Sequence, residues 1–241
     1  MRSALITAFT AIVLLLSNLA TAAMAQVSRE VRVELAGYAR GIRAATLTMD
    51  IDLVGNYDLV FRIEPTATAR LFGMQGMMIR GRGAQTANNL YPGVANYSGG
   101  GDNIRIAWSN GAATVTGAST SQVNPAAAGA AVDPATAILL AMHRFTQGGS
   151  CAGSRDVFDG STLLRATYRD RGTRTISSRG YSGSAQQCRI TYQVVQGRQG
   201  RGTAPLTLWL ARPVAGGPFV PVRVELTFGS EVAVFEALSI R

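Results

Sequence analysis

"AATLTMDIDLVGNYDLVFRI", residues 44–63, decides the fold class. Its side chains alternate between apolar and polar with period two, the pattern of a strand with one buried face. Ala45, Leu47, Met49, Ile51 and Leu53 fall on one side, and Thr46, Thr48, Asp50 and Asp52 on the other. Tyr57, Leu59, Phe61 and Ile63 repeat the pattern, and Gly55-Asn56 between the two runs reads as a hairpin turn.

The same alternation extends in both directions. "VRVEL" places Val31, Val33 and Leu35 together, and "MMIRGR" is a further strand. "NIRIAWSNGAATVTG" aligns Ile104, Ile106 and Trp108 ahead of Asn110-Gly111, a pair that tolerates positive φ in a two-residue turn. "YPGVANYSGGGD" reads as a polar, glycine-rich loop, and "ASTSQVNPAAAGAAV" as a connection, because strands of one character flank it. Further on, "STLLRATYRDRGTRTIS" predicts a hairpin turning at Asp170-Arg171-Gly172. "QQCRITYQVV" and "LTLWLARP" predict strands, and "VPVRVELTFGSEVAVFEALSI" predicts a last hairpin turning at Gly229-Ser230.

One segment changes period. In "VDPATAILLAMHRFTQGG", Asp133 is a good N-cap and Pro134 suits the first helical position. Ile138, Leu139, Met142 and Phe145 recur at helical spacing as one apolar stripe, and Gly148 can end the helix. The expected fold is therefore mainly β. It is an antiparallel curved sheet or open β-barrel of roughly ten or more strands with one main helix at about 134–147.

The first residues, "MRSALITAFTAIVLLLSNLATAAMAQ", have Arg2, an apolar run and a closing Ala23-Met24-Ala25. This is the layout of a secretory signal peptide, with cleavage expected after Ala25 and residues 26–241 forming a single β-rich domain. No later stretch is long and apolar enough to span a bilayer as a helix, so the expectation is export to the periplasm of a Gram-negative bacterium without a transmembrane segment.

All 23 basic residues are arginine, against 14 acids, a formal net charge of +9. Residues 165–201 concentrate this excess, with Asp170 their only acid. Arg165, Arg169, Arg171 and Arg174 form a candidate anion-binding set, since each guanidinium can hold a phosphate or carboxylate through two parallel N–H bonds. For an exported protein the anions in question are lipid, lipopolysaccharide or an acidic envelope polymer rather than nucleic acid. A solvated face is the plain alternative.

Cys151 and Cys188 are the only cysteines. An even pair in an oxidising compartment predicts a disulfide. A nucleophilic cysteine would need a base, and His143, the only histidine, is not placed near either sulfur by its spacing. Two cysteines and one histidine also fall short of a zinc site. Asp156 and Asp159 lie in "RDVFDG", where Asp159-Gly160 reads as a turn. They could do acid–base work only if a cleft held them at a suitable separation. No catalytic residue, metal or cofactor is expected.

The ordered set Asp133-Pro134, Cys151, Phe158-Asp159-Gly160, Tyr181 to Gly183 and Cys188 resembles the bacterial exported proteins grouped as domain of unknown function 3108. The resemblance spans about residues 30–240 and implies export and a β-rich fold, with no assigned reaction. After the FDG turn this chain has Ser161-Thr162-Leu163, where members of that family often carry basic residues. Three readings follow. The first is a non-enzymatic periplasmic protein that binds lipid, lipoprotein or another envelope component in an apolar cavity and supports envelope maintenance. The second is a structural or interaction protein without a cavity. The third is a carboxylate-dependent hydrolase.

Overall fold

The computed structural model describes residues 30–117, 123–197 and 204–241; the expected signal peptide, Arg198 and Arg201 lie outside them. The first half of the sheet comprises β1 (Glu30–Ala39), β2 (Ile42–Asp52), β3 (Asn56–Pro65), β4 (Met77–Gln85), β5 (Leu90–Gly99), β6 (Asp102–Ser109) and β7 (Ala112–Thr116). The second comprises β8 (Gly153–Phe158), β9 (Leu163–Ser177), β10 (Ser182–Gln196), β11 (Leu206–Ala211), β12 (Val220–Phe228) and β13 (Glu231–Ile240). Three helices accompany them: α1 (Ala67–Leu71), α2 (Pro125–Ala128) and α3 (Pro134–Thr146).

The described strands form one antiparallel sheet in the order β7-β6-β5-β4-β3-β2-β1-β13-β12-β11-β10-β9-β8. Two meanders thus meet at the centre, where β1 pairs with β13. Residues from both halves share one core with α3, so the sheet curls around the helix. Segment 123–133 closes the gap between the edge strands. Val132 bridges to Val157 of β8: its N–H donates to the Asp156 carbonyl at 2.9 Å, and Phe158 N–H donates back to the Val132 carbonyl at 2.8 Å. On the other side Trp108 of β6, one strand in from the edge, donates its Nε1–H to the Ala128 carbonyl at 3.2 Å. A second apolar cluster, including Ile106, Ala131, Phe158 and Leu163, seals this seam.

The quoted stretch folds as its alternation requires. Ala45, Leu47, Met49, Ile51, Leu53, Tyr57, Leu59 and Phe61 are all buried, with Met49 opposite Phe61 in the register. Asn110 and Gly111 adopt φ of 51° and 72°, as the two-residue turn demands.

Three expectations are corrected. Residues 90–99 are a strand, β5, and not a loop. Its Pro92 sits at a register shift opposite Gly83, where the ladder is already irregular and a missing N–H costs little. Asp170-Arg171-Gly172 is not a turn. β9 runs through it unbroken and pairs with β10 along its length, with Arg171 and Gly172 together opposite Gln187 as a bulge. Gly172 takes φ 75° there and donates its N–H to Asp170 Oδ1 at 2.8 Å. The chain reverses instead at 178–181, where Ser178 N–H donates to the Tyr181 carbonyl. Finally, α3 has no single apolar stripe. Ala135, Thr136, Ala137, Leu139, Leu140, Ala141, Met142, His143 and Phe145 are all buried, because the helix lies inside the curl and meets walls on several sides.

Candidate functional site: an apolar cavity above an enclosed helix

α3 starts near mid-height of the barrel and runs toward the end that carries the 86–89 and 178–181 turns. Asp133 caps it, accepting N–H bonds from Ala135 at 2.9 Å and Thr136 at 3.0 Å. Thr136 Oγ1 also donates to this carboxylate, and Tyr57 shares a 2.9 Å hydrogen bond with the same hydroxyl. Gly81 of β4 makes room for the cap, since a Cβ there would lie 3.0 Å from the Asp133 carboxylate. Complete burial pushes the Asp133 carboxyl up, against the hydrogen bonds that favour its charged form.

At the lower end His143 is buried with Nε2 3.0 Å from the Thr86 carbonyl. Phe145 packs on Phe219, with ring centroids 5.7 Å apart. Arg144 lies over the Tyr168 ring and donates to the carbonyls of Cys151 and Ala152. Cys151 and Cys188 form a disulfide with Cα atoms 6.1 Å apart. These contacts pack the lower half around the helix, apart from a cleft between the 213–218 connection and the ends of β1 and β13.

The upper half is not filled. Above the first turns of α3 lies a cavity of about 330 Å³. Pro134, Ala135 and Ile138 line it from the helix, and Leu47, Met49, Phe61, Ile63 and Ile79 from β2 to β4. Leu164, Tyr192, Leu206, Leu208, Val224, Leu226 and Phe235 line it from β9 to β13. Asp159 is its one charged lining residue. Burial pushes the Tyr192 hydroxyl up to about 12, which keeps it neutral at physiological pH. Met77 and Phe228, at the ends of β4 and β12, stand at the rim and are partly open to solvent. Such a cavity falls within the range of small-ligand pockets, roughly 300–1,000 Å³, which are mostly apolar with few polar groups.

The carboxylates weighed from the sequence are held in structural contacts. Asp156 pairs with Arg165 on the outer wall. Asp159 Oδ1 accepts N–H bonds from Ser161 at 2.8 Å and Thr162 at 2.7 Å, the turn chemistry its neighbour Gly160 implies. Among the described residues no group of three or more His, Cys, Asp or Glu could hold a metal ion.

The four candidate arginines are all exposed. Arg165 and Arg169 alternate outward, with Arg169 opposite Arg189 of β10. The bulge at Arg171-Gly172 then shifts the parity of β9. Arg165, Arg169 and Arg174 pair with Gln193, Arg189 and Ala185, all on one side of β10, so this shift brings Arg174 onto the face of Arg165 and Arg169. Cavity residues such as Ile138 and Val224 had no distinguishing sequence signal beyond their apolar positions.

Neither a family model nor a curated protein matches this chain. In structure it is similar to a β-barrel-like protein of domain of unknown function DUF1849 from Brucella abortus, solved by crystallography. The TM-score is 0.52 at 8% sequence identity, covering 88% of this chain and 97% of that one. At that identity the likeness is one of fold. The family resembled in sequence is a different one, and the common ground is a β-barrel-like architecture of unknown function.

Proposed function

We propose that the protein is a non-enzymatic, exported periplasmic carrier or receptor that binds an acyl-chain-bearing envelope molecule, a lipid or lipoprotein chain, in the upper cavity. The observation that carries this is the cavity itself, walled by apolar side chains from both meanders and floored by α3. The N-terminal pattern, the disulfide and the resemblance to domain of unknown function 3108 support export. The engagement of Asp156, Asp159, His143 and both cysteines in structural contacts supports a binding role over a hydrolytic one.

The test is displacement of a polarity-sensitive dye by fatty acids, with native mass spectrometry of freshly purified protein. Wild type is expected to bind the dye and release it to long-chain fatty acid. Ile138→Trp and Leu226→Trp, which place an indole in the cavity, should each weaken binding about tenfold or more, the scale of roughly 1.4 kcal/mol lost. A wild type that binds neither dye nor lipid would overturn the reading.

The arginine-rich wall supports a weaker, salt-sensitive attraction to an anionic envelope polymer. An Arg169/Arg171/Arg174→Gln variant should co-sediment less with lipopolysaccharide than wild type at low salt. The difference should shrink at high salt, where screening acts within about 10 Å or less. Equal sedimentation at low salt would reduce these residues to a solvated face.

A further inference from the structure

The exposed apolar side chains are not spread evenly over this barrel. Of the twelve large hydrophobic residues that the described residues expose, Val54, Tyr91 and Val214 lie at or near the end filled by α3, and the other nine at the end where the cavity opens. They come from separate turns and strand ends. Ile42 follows the β1–β2 turn, Phe228 and Val232 flank the β12–β13 turn, and Val195 ends β10. The β3–β4 connection contributes most. α1 is capped by Thr66 and continues into Phe72, yet none of its residues is buried. Leu71 and Phe72 are 86% and 87% exposed.

α1 rests on β2 and β3, yet it presents leucine and phenylalanine side chains almost wholly to water, which marks a surface for a partner. We infer that this rim docks on a lipid bilayer, with Leu71 and Phe72 entering the interface and the cavity mouth facing the membrane. This extends the proposed ligand binding by naming the surface through which an acyl chain would pass. A bilayer fits better than a protein partner for two reasons. The apolar side chains are tips set around a mouth, each able to enter one planar surface, and do not form a contiguous groove. Among the described residues, the β1–β2, β5–β6 and β12–β13 connections at this end are closed turns, and the sheet's edge strands, β7 and β8, border the seam. Charge at the rim, among the described residues, is close to balanced, with Arg40, Arg43 and Arg70 against Glu64, Glu231 and Asp159, and Arg40 is paired with Glu231. Apolar insertion rather than local charge therefore carries the contact. The net charge of +8 on residues 26–241, with Arg2 gone, adds long-range attraction to an anionic surface.

The experiment is flotation of the purified protein residues 26–241 with vesicles of phosphatidylcholine alone or with one quarter phosphatidylglycerol. Wild type should float with both, more with the anionic vesicles, and should keep part of its binding at high salt. Leu71→Asp/Phe72→Asp should lose vesicle binding about tenfold or more, because each buried large side chain contributes at least that much. Val54→Asp, at a position also exposed but at the opposite end, should bind as wild type does. The double variant should retain its melting temperature and its dye binding in the cavity. The inference is overturned if wild type floats with neither vesicle, if the double variant floats as well as wild type, or if Val54→Asp loses as much. Dye binding without flotation would sink the docking surface alone. Flotation without dye binding would sink the cavity ligand alone.

Discussion

Removing the Cys151–Cys188 bridge is expected to lower the unfolding free energy by about 4 kcal/mol, the chain-entropy value for a closed loop of this length. The two residues are 37 apart in sequence, and the loop they close holds β8, the 159–162 turn, all of β9, the 178–181 turn and the start of β10. The bridge joins the segment just after α3 to β10 at a buried position, Cys188, next to the β9 bulge. Without it the lower end of the enclosed helix keeps the Arg144 and His143 hydrogen bonds, the Phe145–Phe219 contact and the bonds that Phe219 N–H and Arg212 donate to Thr146. Cys151→Ser/Cys188→Ser should therefore show a denaturation midpoint well below that of the oxidised protein, and reduced wild type should approach the variant. The single variants should each be as unstable as the double, since either opens the loop and leaves a buried polar partner. Native protein with two freely alkylated thiols, or a double variant with an unchanged midpoint, would contradict this.

How far the fold was legible depends on whether a local signal had one structural meaning or two. The alternation of Ala45 to Phe61 has one, because only a strand with a buried face places those residues together, and all but the turn residues are buried accordingly. The Asp133-Pro134 start of α3 and the Asn110-Gly111 turn are equally direct. Asp170-Arg171-Gly172 has two meanings. An aspartate followed by a glycine at positive φ makes either a turn or a bulge, and the choice was made by β10, which offers paired residues on both sides of it. Tyr91-Pro92-Gly93 is a loop signal overridden by pairing with β4. The placement of α3 inside the curl was half visible. Its non-stripe positions are mostly Ala135, Ala137, Leu140 and Ala141, too apolar for a surface helix. Gly81 supplies the matching hollow, but nothing in sequence links it to Asp133. The cavity was not legible. Alternation marks Leu47, Leu208 and Val224 as inward-facing, but not whether inward-facing side chains from opposite walls meet.

Asp133→Ala is expected to cost about 2–3 kcal/mol, the loss of a helix cap that also leaves buried N–H and hydroxyl groups unpaired. Ala135 N–H, Thr136 N–H and the Thr136 hydroxyl all lose their acceptor, in a place that excludes water. Asp133→Asn separates the cap from the charge. Its Oδ1 can still accept both N–H bonds, and its amide can donate to Thr136 Oγ1, whose proton then turns to Tyr57. The direction of the pH effect follows from the raised carboxyl of the folded protein. Between the ordinary aspartate value and the higher folded one, the folded chain holds a proton that the unfolded chain has released. The carboxyl's contribution to stability is therefore full below the ordinary value, falls as pH rises through this window, and levels off above it. Asparagine has no such loss. Equilibrium unfolding across pH 4 to 8 should show Asp133→Asn gaining on wild type as pH rises from about 4, while Asp133→Ala stays below both throughout. A gap between Asp133→Asn and wild type that is flat with pH would mean that Asp133 is ionised in the folded barrel across that whole range. A cost for Asp133→Ala below about 0.5 kcal/mol would mean that the cap is dispensable and that the walls alone hold α3 in place.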